Sequence, residues 1–133
     1  KRGQRGQEMS RARRILVVDD DEALRVTLVD ILGLFGYEAE AVSSGEEALA
    51  VFDEARHVLL LTDHCMPGMT GAKLIRRLRQ RCPALPAVAL KGAGPEAERE
   101  FLAAGADEVL SKPFDIGRVR EAVEKALSGK RGG

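Results

Sequence analysis

No apolar run in this 133-residue chain is long enough to matter to a membrane: stretches such as 58–61 end after a few residues, far short of the ~20 that a spanning helix needs. Cysteine is scarce. Cys65 and Cys82 are the only two, and they make no metal-ligand spacing with each other or with His57 and His64. A reduced, cytoplasmic setting is therefore expected. The basic start has no apolar stretch behind it, so no secretory signal is expected in this segment. Low-complexity tracts and internal repeats are absent, as is any sign of a second domain, so the length fits one core.

Net charge is also missing, but its zero conceals an imbalance. Residues 1–14 carry Lys1, Arg2, Arg5, Arg11, Arg13 and Arg14 against Glu8 alone, and the rest of the chain is correspondingly acidic. Such a tail suits a solvated linker, with contact to nucleic acid as the minority reading. We expect a flexible basic segment over 1–13, one folded domain over 14–128 and a disordered tail over 129–133. Position 1 is not Met, which suggests a piece of a longer protein.

What is present is an alternation. Apolar, β-branched or leucine-rich runs at 15–18, 37–42, 58–62, 87–90 and 107–110 read as strands. Between and after them, amphipathic segments at 21–35, 44–55, 72–81, 96–104 and 115–127 read as helices. Leu24, Leu28, Ile31, Leu32 and Phe35 mark one helical face, and Ile116, Val119, Val123 and Leu127 another. Gly36 and Gly105 stop helices, and Ser44 with Glu47 forms a capping box. The run at 58–62 is apolar throughout, as a strand buried on both faces would be. Strict alternation implies a parallel sheet with helices on both faces and right-handed crossovers.

In such sheets the functional crevice lies beyond the carboxyl ends of the strands. The first strand ends in Asp19-Asp20-Asp21, the third in Asp63, the fourth at Lys91 and the fifth at Lys112. Each alone has an ordinary explanation, a helix cap or a solvated turn. Together they bring carboxylates and lysines to one edge. Two unit charges ~4 Å apart cost about 4 kcal/mol at an effective dielectric of ~20, so a cation, a raised pKa or a lysine must offset the acids. Asp19, Asp20 and Asp63 suit Mg²⁺, a hard ion that takes carboxylates, waters and phosphate oxygens. Lys112 suits a phosphoryl oxygen, and a carboxylate can itself be the nucleophile. The chemistry is a Mg²⁺-dependent phosphoryl site. Which residue accepts the group stays open on these grounds.

The stretches 15-ILVVDDDEALR-25, 58-VLLLTDHCMPGMTGAKL-74 and 105-GADEVLSKPF-114 stand in order. Together they resemble the response-regulator receiver domain of two-component signalling. The resemblance implies a flavodoxin-like sheet of order 2-1-3-4-5. It implies that Asp63 is the phosphoacceptor and that Asp20 and Asp63 bind Mg²⁺ with the backbone carbonyl of Cys65, Asp19 helping mainly through water. Lys112 would contact the phosphoryl group, across a Lys112–Pro113 bond that is cis. The implied partner is a histidine kinase or phosphotransfer protein, with a homodimer as a further state and no membrane partner. The chain suits a free-standing regulator or the C-terminal receiver of a hybrid histidine kinase.

Two positions depart from the pattern. Lys91 falls where the family places Thr or Ser, and Val109 where it places the switch aromatic. One expectation is that Lys91 ion-pairs with Asp63 and competes with Mg²⁺; the other is that it reaches into solvent. His64 reads as a side chain at the rim, with a proton shuttle as the minority reading. Cys65 and Ala93 stand where the family tunes dephosphorylation, and neither orients water, so a long-lived phosphoryl state is expected. Arg76, Arg77, Arg79 and Arg81 read as a solvated helix face. The alternatives are a degenerate receiver that binds partners unphosphorylated, a haloacid-dehalogenase-like phosphatase built on Asp19-Asp20-Asp21, and a flavodoxin-like cofactor binder. The last fits poorly, because its first loop should be rich in hydroxyls and glycine, and the acidic loop here would repel a phosphate without a metal.

Overall fold

Runs too short to be stable helices become strands here because neighbouring strands satisfy their backbone, on both sides for the three inner strands and on one side for the two at the edges. The computed structural model describes residues 14–92 and 94–129; the basic segment 1–13, Ala93 and the tail 130–133 lie outside them. The elements are β1 Arg14–Val18, α1 Glu22–Leu34, β2 Glu38–Val42, α2 Gly45–Val51, β3 His57–Asp63, α3 Gly71–Arg81, β4 Ala87–Lys91, α4 Pro95–Ala103, β5 Glu108–Ser111 and α5 Ile116–Ser128. All strand pairs are parallel and the order is β2-β1-β3-β4-β5. Fold class and strand order are those expected.

Because successive strand residues point to opposite faces, the inner strands feed two cores. Leu16, Val18, Leu60 and Ala89 pack with Ala48, Leu74, Leu78 and Phe101 of α2, α3 and α4. Ile15, Val17, Leu59, Leu61 and Leu90 pack with Leu28, Leu32, Val119 and Val123 of α1 and α5. Each such burial is worth about 1.5–3 kcal/mol, so β1, β3 and β4 anchor both layers. No helix among the described residues is long and apolar enough to cross a membrane.

Four local expectations need correction. The helix expected over 44–55 ends at Val51. Phe52 turns extended and buries its ring, while the Asp53 amide donates to His57 Nδ1 at 3.0 Å and the Asp53 carboxylate accepts the Ala55 amide at 2.9 Å. These bonds replace the next helical turn. The capping box is displaced by one residue: Ser44 Oγ accepts the Glu47 amide at 3.1 Å, but Glu47 reaches past Ser44 to the Ser43 amide at 2.7 Å. Ile116 does not join the buried stripe of α5 and is 48% exposed; Ala122 and Ala126 fill the face instead.

The arginines of α3 are not a uniform solvated face. Arg76 and Arg77 are exposed, but the Arg79 side chain is only 10% exposed and lies 3.0 Å from Asp107. It also donates to the carbonyls of Leu85, Ala104 and Gly105. Arg79 thereby ties α3 to the segments entering β4 and β5. Arg81 donates to the carbonyls of Leu49 and Phe52 and lies over the Phe52 ring, so it closes the end of α2.

Candidate functional site

Parallel strands release their last residues at one edge, and this sheet releases acids and a lysine together. Asp19 follows β1, Asp63 closes β3 and Lys112 follows β5. Lys112 Nζ lies 2.9 Å from Asp63 Oδ1 and 3.6 Å from Asp19 Oδ2. Asp19, Asp20 and Asp63 each offer an oxygen within 4.8 Å of the others. Asp19 is fully buried, Asp63 is nearly so, and Asp20 is exposed. Asp21 is not part of this set. Its carboxylate caps α1, accepting the Ala23 amide at 3.0 Å, and its own amide donates to Asp19 Oδ1 at 2.9 Å. Arg25 fixes the same turn from α1, donating from Nη1 to the Asp19 carbonyl at 2.7 Å.

The backbone around Asp63 is held as closely. The Thr62 hydroxyl donates to the Asp63 carbonyl at 2.9 Å, and the Gly71 amide donates to the His64 carbonyl at 2.9 Å. A Cβ at Gly71 would fall 2.0 Å from the Asp63 carbonyl oxygen and 3.0 Å from the Phe101 ring. Only glycine permits α3 to start this close to the end of β3. The Lys112–Pro113 peptide is cis, as the resemblance implies.

The electrostatics follow from this crowding. Burial pushes the Asp19 carboxyl above the ordinary aspartate value, and neighbouring Asp63 adds to the rise; the Asp21 amide and Lys112 only partly oppose it. Burial works against the charge on Lys112, but its hydrogen bond to Asp63 and the attraction of Asp63 and Asp19 outweigh that and raise its pKa. Asp19 Oδ2 is buried and has no hydrogen-bond partner among the described residues. An all-oxygen donor set holding an unsatisfied buried carboxylate oxygen fits a hard divalent cation.

The remaining candidates fall in different places. Cys65 lies in the loop after β3 with an exposed, free thiol. Lys91 ends β4, where its carbonyl accepts the Lys112 amide at 2.8 Å. It is half-buried and forms no ion pair among the described residues. The expected Lys91–Asp63 pair is therefore not formed: Lys112 takes that position from the neighbouring strand. Val109 packs on the core that holds Phe101. His64 overturns its expectation. It is only 8% exposed, sits 2.7 Å from Glu100 Oε1 through Nε2, and meets the Phe101 ring edge-on at 4.9 Å. No local pattern announces this, because Glu100 and Phe101 belong to α4 and reach His64 only through the fold.

A doubly wound parallel sheet with a carboxylate cluster and a lysine gathered at its carboxyl edge defines the class, an α/β protein whose candidate site lies beyond the strand ends. The chain belongs to the response regulator receiver domain family, whose model matches residues 15–124. It is 39% identical over 117 residues to the phosphate regulon transcriptional regulatory protein PhoB of Rhizobium meliloti, covering 86% of this chain and 52% of that one. It therefore spans about half of that relative's length. Solved structures agree. A CheY-like receiver domain protein from Methanospirillum hungatei superposes with a TM-score of 0.80 at 32% identity, over 86% of this chain and 93% of that one. The receiver domain of a signal transduction histidine kinase from Syntrophus aciditrophicus superposes with a TM-score of 0.81 at 30% identity, over 92% and 95%.

Proposed function

We propose that this receiver accepts a phosphoryl group on Asp63 from the phosphohistidine of a histidine kinase or phosphotransfer protein. The observation that carries the reading is Lys112 Nζ at 2.9 Å from Asp63 Oδ1, beside the Asp19–Asp20–Asp63 cluster. A carboxylate oxygen of Asp63 attacks phosphorus in line. The P–O bond forms as the P–N bond breaks, and the imidazole leaves with the electron pair and takes up a proton. Lys112 is placed to hold a phosphoryl oxygen as a point charge. Asp19, Asp20 and Asp63, with the Cys65 carbonyl, would hold Mg²⁺. When bound there, Mg²⁺ neutralises charge on the transferring phosphoryl oxygens. Hydrolysis of the acyl phosphate then returns the Asp63 carboxylate and inorganic phosphate. The free thiols of Cys65 and Cys82 suit a reducing cytoplasm.

Lys91 and Val109 alter the usual relay. Lys91 replaces a short hydroxyl hydrogen bond with a long flexible ammonium, and Val109 offers no aromatic ring to reorient. This favours one alternative, a receiver that binds its partner without being phosphorylated. Incubation with Mg²⁺ and acetyl phosphate, followed by intact mass measurement, separates the two. Gain of one phosphoryl group by the wild type and none by Asp63→Asn is the expected result. No gain in a folded wild type would favour the binding module instead.

A further inference from the structure

Lys91 and Val109 offer Asp63 neither a hydroxyl nor an aromatic ring, whereas His64 follows it directly in the chain. Asp63 and His64 are consecutive, so the His64 ring is the side chain joined most directly to the acceptor's backbone. That ring is buried, with Nε2 2.7 Å from Glu100 Oε1, and is set edge-on against Phe101. Its Nδ1 is buried with no hydrogen-bond partner among the described residues, so the Glu100 contact and the Phe101 ring hold it in place. Phe101 is fully buried, and Gly71, whose missing side chain leaves room for both, lies between the Phe101 ring and the Asp63 carbonyl.

α4 is fixed unevenly. Its carboxyl end is anchored because Arg79 donates to the carbonyls of Ala104 and Gly105. Its amino end starts at Gly94, at φ 108° and without a side-chain cap. The helix also presents Leu102, 57% exposed, on its outer surface. An element pinned at one end, uncapped at the other and held inward through Phe101 and Glu100 is suited to shift about its anchor. We propose that His64, through Glu100 and Phe101, is the positioning residue that carries phosphorylation of Asp63 to α4 and so changes how α4 displays Leu102. This rests on Asp63 being the acceptor. A packed path alone is no proof of coupling, so the test must read a two-state response.

The test is hydrogen exchange of the α4 amides with and without beryllofluoride and Mg²⁺, on wild type, His64→Leu and Glu100→Ala. Occupancy of the site is read by fluorine NMR on the same samples. Wild type is expected to change its α4 protection on binding. Both variants are expected to bind beryllofluoride yet lose most of that change. Glu100 is exposed, so Glu100→Ala decides the matter even if His64→Leu does not fold. A wild-type response in folded variants, or a silent α4 in occupied wild type, overturns the relay and leaves the acceptor reading standing. Absence of beryllofluoride binding to folded wild type overturns both.

Discussion

Lys112 Nζ stands between two buried carboxylates, 2.9 Å from Asp63 and 3.6 Å from Asp19, and is the cation that makes their proximity tolerable. Removing it by Lys112→Gln leaves both acids uncompensated. Unfolding free energy should fall by about 1–3 kcal/mol in Mg²⁺-free buffer. Because the folded lysine has a raised pKa, its contribution is present throughout the range below ~10.4 and is lost only as pH rises through the folded value. Phosphoryl incorporation at Asp63 should slow on the order of 100-fold. Denaturant melts and mass-gain kinetics check the two effects.

Asp19 contributes with the opposite sign. Its folded pKa is raised, so the folded state binds a proton more readily than the unfolded chain, and stability falls as pH rises through that range. Asp19→Asn should therefore stabilise the Mg²⁺-free protein at neutral pH. The advantage should shrink on acidification and vanish below ~3.9. Added Mg²⁺ should raise the Tm of wild type more than that of the variant, by ligand linkage. Thermal melts across pH and Mg²⁺ concentration test this; a variant advantage that grows in acid would refute it.

Lys91 makes no ion pair with Asp63, so Lys91→Thr should leave Mg²⁺ affinity unchanged within ~0.5 kcal/mol. Calorimetric titration of both proteins measures it. A tenfold gain in the variant would show that Lys91 does compete for the site.

Arg79 should matter to stability and not to chemistry. Arg79→Ala leaves Asp107 without this partner and the Leu85 and Gly105 carbonyls without its donors, at the sheet edge opposite the acids. Loss of about 3 kcal/mol is expected. Phosphoryl incorporation by the folded variant should match wild type.

The acids and Lys112 were legible in the sequence because strand ends of a parallel sheet map directly onto one edge, and the local order of residues settles which ends those are. Asp19, Asp20 and Asp63 needed no knowledge of side-chain packing. His64, Arg79 and Arg81 were misread for the complementary reason. Their partners, Glu100, Asp107 and the Phe52 carbonyl, are far along the chain, and a basic or imidazole side chain carries no periodicity to reveal them. Ile116 failed differently: it is apolar and in register, but it sits in the first turn of α5, beyond the edge of the core.

Localisation of the phosphoryl group tests the central claim most directly. Phosphoramidate, whose P–N bond resembles that of phosphohistidine, is the donor, and peptide-level mass spectrometry after reductive trapping is the readout. The account predicts a single Mg²⁺-dependent modification at Asp63. Modification at Asp19 or Asp20, or equal labelling of Asp63→Asn, would contradict it.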